Sequence, residues 1–254
     1  MDIQTLFNLN GRVALVTGGS RGIGKMIVEG YLKAGAARVY ISARKVDQIE
    51  ETVAEFGNQV IGLPCDLSTV DGCLSLAAQI AEREEKVDIL VNNAGVALID
   101  RLEDAKVADW DATMAVNLRA PFLLAREIVP GMIERKGGKI INMGSLTSQA
   151  ARPTIAPYTV AKGGIKMLSR AMAAEWAQFN IQANSIGPGY IMTDMNKLLM
   201  ENAQFDTWVK SSNPAQRWGK PEELVGTAIY LASEASNYVN GQIIYVDGGW
   251  LSVL

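Results

Sequence analysis

Three side chains near the middle of the chain, Ser145, Tyr158 and Lys162, are of the types that can exchange a proton with a carbonyl oxygen. The apolar residues after Lys162 recur at helical spacing, which predicts that Tyr158 and Lys162 lie on one face of a helix. A phenol has an unperturbed pKa of about 10. A neighbouring ammonium group is expected to lower that pKa toward the working range. The same spacing also occurs in surface pairs without chemistry, so the rest of the chain must support this interpretation.

The strand and the helix expected around these residues predict how Ser145 comes close to Tyr158. Residues 140–143 are a mainly apolar run that predicts a strand, and Ser145 lies just past its end. The hydroxyl of Ser145 would then lie at the carboxyl end of that strand. There it could reach the first turns of the helix that carries Tyr158.

The composition excludes several other kinds of site. The chain of 254 residues contains no histidine, which excludes a Ser-His-Asp triad, a histidine-bound zinc and an imidazole base. Its two cysteines are too few for a metal cage or a disulfide framework and indicate reduced thiols. Lys and Arg are scattered, the net charge is −3, and no apolar run is long enough to span a bilayer. We therefore expect a cytoplasmic protein that binds no metal, nucleic acid or membrane.

A glycine-rich stretch near the amino terminus has the sequence context of a dinucleotide site. Residues 12–17 predict a strand, and an amphipathic helical pattern follows the glycines. Gly18 suits a tight turn, while Gly22 and Gly24 let a pyrophosphate approach the backbone and the helix pack on the sheet. The amino terminus of that helix would offer free N–H groups to the phosphates. A flexible loop is the alternative, but the strand–turn–helix context favours nucleotide binding.

The end of the second predicted strand, residues 38–42, indicates which dinucleotide is preferred. Sites for NAD usually have an acidic residue here that binds the ribose hydroxyl. This chain has Arg44 instead, with Ser42 close in sequence and Arg21 in the glycine turn. A guanidinium group can bind a 2′-phosphate in a bidentate manner. Arg44 could instead only solvate a loop, but the pattern predicts NADP(H) in preference to NAD(H).

Strands and helices alternate along the whole chain, and the pattern predicts seven strands. Such alternation is typical of parallel βαβ units with right-handed crossovers. We therefore predict an α/β single-domain Rossmann fold over residues 1–254, a doubly wound seven-stranded parallel sheet with helices on both faces. Residues 102–135 are predicted to form one long helix or two consecutive helices. Residues 192–210 are predicted to be a mobile segment within a substrate lid at about 190–215.

With these motifs assembled, the chain resembles the short-chain dehydrogenase/reductase family over essentially its whole length. The motifs that carry the resemblance are Thr17-Gly18-x-x-x-Gly22-x-Gly24, Asn92-Asn93-Ala94-Gly95, Asn117, Ser145, Tyr158-x-x-x-Lys162 and Pro188-Gly189. The resemblance implies an NAD(P)(H) cofactor, interconversion of a ketone and a secondary alcohol, and a homotetrameric assembly.

The resemblance also implies roles for individual residues. Tyr158 would be the acid/base, Lys162 would lower its pKa and bind the nicotinamide ribose, and Ser145 would donate a hydrogen bond to the substrate oxygen. Asn117 would complete the catalytic set by organising a water-mediated proton path. The residues expected to hold the cofactor are Gly18, Ser20, Arg21, Gly22, Ile23, Gly24, Ser42, Arg44, Asp66, Leu67, Asn93, Ala94, Gly95, Tyr158, Lys162, Pro188, Gly189, Ile191 and Thr193.

Within this family, the second half of the chain is similar to the gluconate 5-dehydrogenases, also called 5-ketogluconate reductases. The similarity lies in residues 132–136, 152–158, 188–190 and 214–219, around the expected site and lid. It implies a sugar acid of the 5-ketogluconate/gluconate type as the substrate. The residues expected to contact the substrate are Ser145, Arg152, Tyr158 and Tyr190.

The chain departs from those enzymes directly after the Asn-Asn-Ala-Gly turn. They tend to carry basic residues there, whereas residues 96–99 of this chain are apolar. Arg101, Arg152 or Lys197 could supply a cation for a carboxylate. The apolar turn and the methionine-rich segment that follows residue 191 instead suggest a less polar ketone.

Other functions stay open at this point. One alternative is a 3-oxoacyl-thioester (acyl carrier protein) reductase, although a net charge of −3 gives little support for binding an acidic carrier protein. Another is a broad-range carbonyl reductase. A non-catalytic NADP-binding sensor or scaffold is a third, and the intact set of site residues argues against it. The apolar carboxyl terminus, residues 238–254, is consistent with an interface between subunits.

Overall fold

The computed structural model describes residues 2–84 and 86–253 of the chain. Its strands are β1 (Val13–Thr17), β2 (Arg38–Ala43), β3 (Val60–Pro64), β4 (Ile89–Asn92), β5 (Gly138–Met143), β6 (Ile181–Pro188) and β7 (Ile243–Val246). They form one parallel sheet in the order β3-β2-β1-β4-β5-β6-β7. This order is that of the predicted doubly wound fold, which is therefore confirmed.

Helices connect the strands and cover both faces of the sheet. They are α1 (Ile3–Phe7), α2 (Gly22–Lys33), α3 (Val46–Phe56), α4 (Val70–Ala81), α5 (Val107–Met114), α6 (Ala120–Arg135), α7 (Ala156–Trp176), α8 (Lys197–Glu201), α9 (Ala203–Ser212) and α10 (Val225–Ala232). Leu15 and Leu90 contribute to the core on the face covered by α4, α6 and α7. Val16 and Val91 contribute to the core on the face covered by α2, α3 and α10. Because both faces are covered, the strands are apolar along their length instead of alternating.

The order of the strands reverses at β1, and this reversal positions the site. Val16 of β1 aligns with Ile41 of β2 on one side and with Val91 of β4 on the other. The connections that leave β1 and β4 therefore run in opposite directions and open a crevice at the carboxyl ends of these strands. Open α/β sheets bind their ligands at such a switch point.

The structure bears on two expectations about helices. Residues 192–210 contain α8 and most of α9, so the segment predicted to be mobile is largely helical. The side chain of Asn202 caps α9 by accepting hydrogen bonds from the backbone of the next turn, which favours helix here. Residues 102–135 contain two consecutive helices, α5 and α6, joined by a π-helical turn, Ala115–Arg119, which is the second of the two predicted arrangements.

None of the helices in the described ranges combines the length and the apolar character that a bilayer crossing requires.

Candidate active site

A single cleft runs along the carboxyl ends of the strands, from the glycine turn after β1 to the segment after β6. All the residues predicted to hold the cofactor or the substrate line this cleft. Ser145, Tyr158 and Lys162 of the predicted catalytic set also line it, whereas Asn117 lies behind its wall. The sequence interpretation did not single out Thr147 and Leu199, which line the cleft as well.

The glycine turn has the shape that a pyrophosphate requires. Gly18 and Gly22 have φ angles of +65° and +53°, a backbone conformation that only glycine adopts readily. A Cβ at Gly24 would collide with the carbonyl of Gly18 and lie 2.5 Å from Asn93 Nδ2. The first turn of α2 has no side-chain cap, so its N–H groups are available to phosphate oxygens.

Thr17 and Asn93 tie the glycine turn to the end of β4. Thr17 Oγ1 accepts hydrogen bonds from the backbone N–H groups of Asn93 and Ala94, both at 3.0 Å. Asn93 Nδ2 donates to the carbonyls of Thr17 and Gly18 at 2.9 and 3.2 Å. The role of Thr17 was not foreseen. Its sequence signals are its place at the start of the glycine motif and a hydroxyl residue at the end of a strand that borders the switch point.

Replacement of Gly24 by Ala tests this packing. We expect Gly24→Ala to weaken NADPH binding at least about tenfold, because the new Cβ must displace either the Gly18 carbonyl or the Asn93 amide. Calorimetric titration with NADPH measures the change, and thermal unfolding reports on the fold. Gly226→Ala is the matched control, since a Cβ at that helical position meets nothing within 4 Å. Unchanged NADPH affinity in a folded Gly24→Ala protein would contradict the assigned role of the turn.

The far end of the cleft carries groups suited to an adenosine with a phosphate on its ribose. Ser42 is fully buried, and its Oγ has no hydrogen-bond partner among the described residues. Arg44 and Lys45 are exposed at the rim beside it. Asp66 accepts a hydrogen bond from the backbone of Ser68 at 2.9 Å, and this bond holds the pKa of its carboxyl below the usual value. The unsatisfied hydroxyl and the glycine cradle together fit a dinucleotide such as NADP.

Tyr158 and Lys162 lie in the first turns of α7, as predicted. Pro157 at the start of the helix favours initiation there, because proline needs no intrahelical N–H partner. Lys162 Nζ donates a hydrogen bond of 2.6 Å to the carbonyl of Met143 and lies 5.5 Å from the centre of the Tyr158 ring. This contact fixes the helix to the end of β5.

The pKa values in this group differ from the sequence expectation. Burial raises the pKa of Tyr158 above its ordinary value, and the hydrogen bond with Ser145 acts against this shift. Burial lowers the pKa of Lys162 to about 8. The expectation that Lys162 lowers the phenol pKa is therefore not met in the protein alone. In a low-dielectric site the neutral forms of both groups are favoured.

The loop after β5 brings Ser145 to Tyr158. Ser145 Oγ accepts a hydrogen bond from the backbone N–H of Thr147, and Ser148 Oγ accepts one from the backbone N–H of Ser145, both at 3.2 Å. Ser148 Oγ also donates to the carbonyl of Lys162 at 2.8 Å. The bond from Thr147 uses only an acceptor position of Ser145, so the hydroxyl proton of Ser145 is available for donation to the Tyr158 oxygen or to a ligand in the cleft.

Asn117 lies in the π-helical turn between α5 and α6 and is buried. Its side-chain amide donates to the carbonyl of Val96 at 2.7 Å and accepts from the N–H of Val96 at 2.8 Å. A Cβ at Gly95 would lie 3.2 Å from Asn117 Oδ1 and 3.8 Å from Lys162 Nζ. Both side chains thus lie close to Gly95. Single π-helical turns are frequent at functional sites because they redirect a side chain.

Tyr190 lines the cleft and belongs to a cluster of aromatic rings behind its wall. Tyr190 packs against Phe205, Trp208, Trp218 and Trp250, with ring centres 4.8–5.7 Å apart. Four chain segments that are distant in sequence meet in this cluster. The apolar side chains of the cleft wall near it are Val96, Ala97, Ile99, Leu146, Ile155, Met195 and Leu199.

Only one of the three cations considered for a substrate carboxylate reaches the cleft. Arg152 lines it, and its Cζ lies 5.3 Å from the centre of the Phe205 ring. Arg101 is exposed and forms an ion pair with Glu103 at 2.5 Å. Lys197 is exposed on α8 and does not line the cleft. Sequence alone did not distinguish these three residues, because the residue type does not show which segment folds against the cleft.

A doubly wound sheet, a dinucleotide cradle at its switch point and a Ser-Tyr-Lys group on the same cleft define an NAD(P)-dependent oxidoreductase. Comparison with known proteins agrees with this class. A family model described as enoyl-(acyl carrier protein) reductase matches residues 18–251. The gluconate 5-dehydrogenase of Gluconobacter oxydans is 40% identical over 254 aligned residues, which cover 98% of each chain.

Two crystal structures extend the similarity to the whole fold. A candidate gluconate dehydrogenase from Agrobacterium tumefaciens is 53% identical with a TM-score of 0.95, covering 98% of this chain and 99% of that one. A gluconate 5-dehydrogenase from Burkholderia cenocepacia, in complex with NADP and tartrate, is 41% identical with a TM-score of 0.95 over 100% of both chains. The chain therefore belongs to the short-chain dehydrogenase/reductase family, as an NAD(P)-dependent dehydrogenase acting on CH–OH groups.

Proposed function

We propose that this enzyme interconverts a keto sugar acid and its hydroxy acid with NADP(H), the reaction of 5-ketogluconate and gluconate being the leading candidate. The observation that carries the proposal is that Ser145, Tyr158 and Lys162 line the same cleft as the glycine turn. A ketone held beside these residues would also lie beside a dinucleotide bound along the cleft. The names of the relatives, gluconate 5-dehydrogenase above all, support the choice of a sugar acid.

Each site residue has a role that follows from its contacts. NADPH supplies the hydride when it is bound, and the protein must provide the proton and hold the oxygen. Tyr158, whose pKa is raised, stays protonated at neutral pH and can donate its proton to the substrate oxygen in reduction. Ser145 can donate a hydrogen bond to the same oxygen. Lys162, charged below pH 8, stabilises the phenolate that forms and is placed to bind the nicotinamide ribose.

The cofactor-binding end supports NADP(H) as the preferred dinucleotide. The end of β2 carries Arg44 and Lys45, and buried Ser42 leaves a hydroxyl without a partner in the described ranges. Arg21 faces the same part of the cleft from the glycine turn and lies 3.6 Å from Asp194. Cations at this position attract a 2′-phosphate, whereas an NAD site would need an acid.

Exchange of Arg44 tests the cofactor preference. We expect Arg44→Asp to lower the ratio of kcat/KM for NADPH to that for NADH about 100-fold, because a charge-assisted contact is lost and a repulsion is added. Steady-state rates with both cofactors measure the ratio. Arg83→Asp, a surface change of the same type, is the control, because Arg83 is exposed and, within the described ranges, its side chain donates to the carbonyl of Gln79 and does not line the cleft. An unchanged ratio in Arg44→Asp would show that Arg44 does not contact the phosphate.

The substrate proposal is tested by turnover. NADPH oxidation is measured with 5-ketogluconate, a 3-oxoacyl thioester and a set of uncharged ketones. We expect the sugar acid to have the highest kcat/KM.

A thioester that reacts faster would favour the second candidate, an acyl-thioester reductase. The apolar residues Val96, Ala97 and Ile99 on the cleft wall give that candidate its support. Binding of NADPH without turnover of any ketone would indicate a sensor.

We further propose that α8 and α9 form a lid over the substrate end and that the enzyme is a homotetramer. Leu199 of α8 lines the cleft, and Phe205 of α9 contacts the aromatic cluster behind it. Trp250 near the carboxyl terminus packs on Tyr190 of its own chain, while Val253 is exposed. Light scattering during size-exclusion chromatography measures the assembly, and a monomer would contradict this part of the proposal.

A further inference from the structure

The positive charges of the cleft are distributed unevenly. Of the described residues, five cations line it: Arg21, Arg44, Lys45, Arg152 and Lys162. Three of them lie at the adenosine end. Lys162 is held by the carbonyl of Met143 beside the catalytic phenol. Arg152 is thus the cation at the substrate end, where the rest of the wall is mainly apolar.

Arg152 has no counter-ion among the residues that the structure describes. Across residues 2–84 and 86–253, no carboxylate oxygen lies within 4.0 Å of its guanidinium nitrogens. Of the acids that line the cleft, Asp194 faces Arg21 and Asp66 lies at the adenosine end. A partly buried arginine without an acid is costly unless a ligand supplies the charge.

The guanidinium group is held in place by an aromatic ring. Arg152 Cζ lies 5.3 Å from the centre of the Phe205 ring on α9. The charge of Arg152 also acts on Tyr190, whose pKa it lowers against the larger effect of burial. A guanidinium that rests on an aromatic ring keeps its N–H edge for a planar, bidentate partner such as a carboxylate.

A second polar group on this wall has no partner. Thr147 Oγ1 is buried, lines the cleft and makes no hydrogen bond to any residue that the structure describes. Its backbone N–H already donates to Ser145, which fixes the residue next to the catalytic hydroxyl. A buried hydroxyl without a partner at a ligand-binding wall is expected to bond to that ligand.

We propose that Arg152 is the residue that binds the carboxylate of the substrate, with Thr147 bonding to the polyol chain between the carboxylate and the ketone. This inference rests on the proposed function, because it concerns the acid group of the same substrate. Binding at Arg152 fixes one end of the substrate, so that only a ketone at the right distance along the chain reaches Tyr158 and Ser145. Arg152 is then the residue that selects keto acids over uncharged ketones.

A comparison of acid and uncharged substrates tests the proposal. For Arg152→Gln we expect kcat/KM with 5-ketogluconate to fall roughly 10–150-fold, the effect of losing a charged hydrogen bond. With the carboxamide of the same keto acid, kcat/KM should change less than about threefold. Arg101→Gln is the matched control, since Arg101 is exposed and paired with Glu103. Equal losses with acid and amide, or no loss, would overturn the proposal.

A binding measurement separates this proposal from the proposed function. The Kd of D-gluconate and of D-sorbitol, which has a CH₂OH group in place of the carboxylate, is measured by calorimetry on the NADPH complex, in which the reduced cofactor cannot accept a hydride from either compound. We expect gluconate to bind at least about tenfold more tightly to the native enzyme, and Arg152→Gln to remove this difference. Equal affinity for both compounds in the native enzyme would overturn the role of Arg152. Tight, Arg152-dependent gluconate binding without turnover of 5-ketogluconate would instead overturn only the proposed reaction.

Discussion

Tyr158→Phe is expected to lower kcat for ketone reduction by about 1,000-fold or more while the Kd of NADPH changes by less than about twofold. The substitution removes one hydroxyl, the proton donor, and leaves the ring that packs over Lys162. The raised pKa of Tyr158 keeps the native phenol protonated through the neutral range, so reduction depends on this proton. Rapid-quench kinetics with NADPH and 5-ketogluconate measure the chemical step directly.

Tyr245→Phe provides the matched control for this experiment. Tyr245 lies in β7, and its hydroxyl is also buried without a partner in the described part of the chain. Removal of that hydroxyl is expected to leave kcat and NADPH binding unchanged. A Tyr158→Phe enzyme that keeps more than about a tenth of the native kcat would show that another group donates the proton.

Lys162→Met is expected to lower kcat about 100-fold and to change its dependence on pH. Burial lowers the pKa of Lys162 to about 8, so the ammonium is charged below that pH and is neutral above it. The positive charge that stabilises the developing phenolate is thus lost as pH rises. For the native enzyme we expect kcat for reduction to be constant from pH 6 to 7 and to fall as pH passes through about 8. The Met variant should show no such fall.

Lys139→Met is the matched control, because it shows whether the loss of any buried lysine changes the pH dependence of kcat. Burial also lowers the pKa of Lys139 to about 8. Its ammonium donates to Ser236 and Asn237 at 3.2 and 2.8 Å, and it does not line the cleft. The Lys139 variant should therefore keep the native pH profile. A fall near pH 8 that persists in Lys162→Met would assign the titration to another group.

Lys162→Met and Lys139→Met both remove hydrogen bonds that also support the fold. A thermal unfolding curve is therefore recorded for each variant. Lys162 donates to the carbonyl of Met143, and its loss leaves that carbonyl without this bond, at a cost of about 1 kcal/mol. Such a loss moves Tm by a few degrees but does not alter the position of a pH transition in kcat. The pH profile is therefore the measurement that assigns the role.

Local features of this protein followed from the sequence by itself. The alternation of apolar strands with amphipathic helices was sufficient to predict the parallel sheet, because strands buried on both faces must be apolar throughout. The glycine spacing predicted the turn after β1, where φ angles of +65° and +53° require glycine. The four-residue spacing of Tyr158 and Lys162 predicted their common helix face. Each of these patterns is encoded within about 20 residues, which is the range over which helical and strand periodicity act.

The contacts between distant segments were decided only by the tertiary structure. The anchoring of Asn117 on Val96, the packing of Trp250 against Tyr190 and the position of Arg152 on the Phe205 ring depend on which strands are neighbours. The direction of the pKa shift of Tyr158 was also decided only by the tertiary structure. Burial raises this pKa, depends on all the surrounding elements and outweighs the effect of one neighbouring charge. Sequence spacing carries no information about that burial, since the groups that exclude water come from separate parts of the chain.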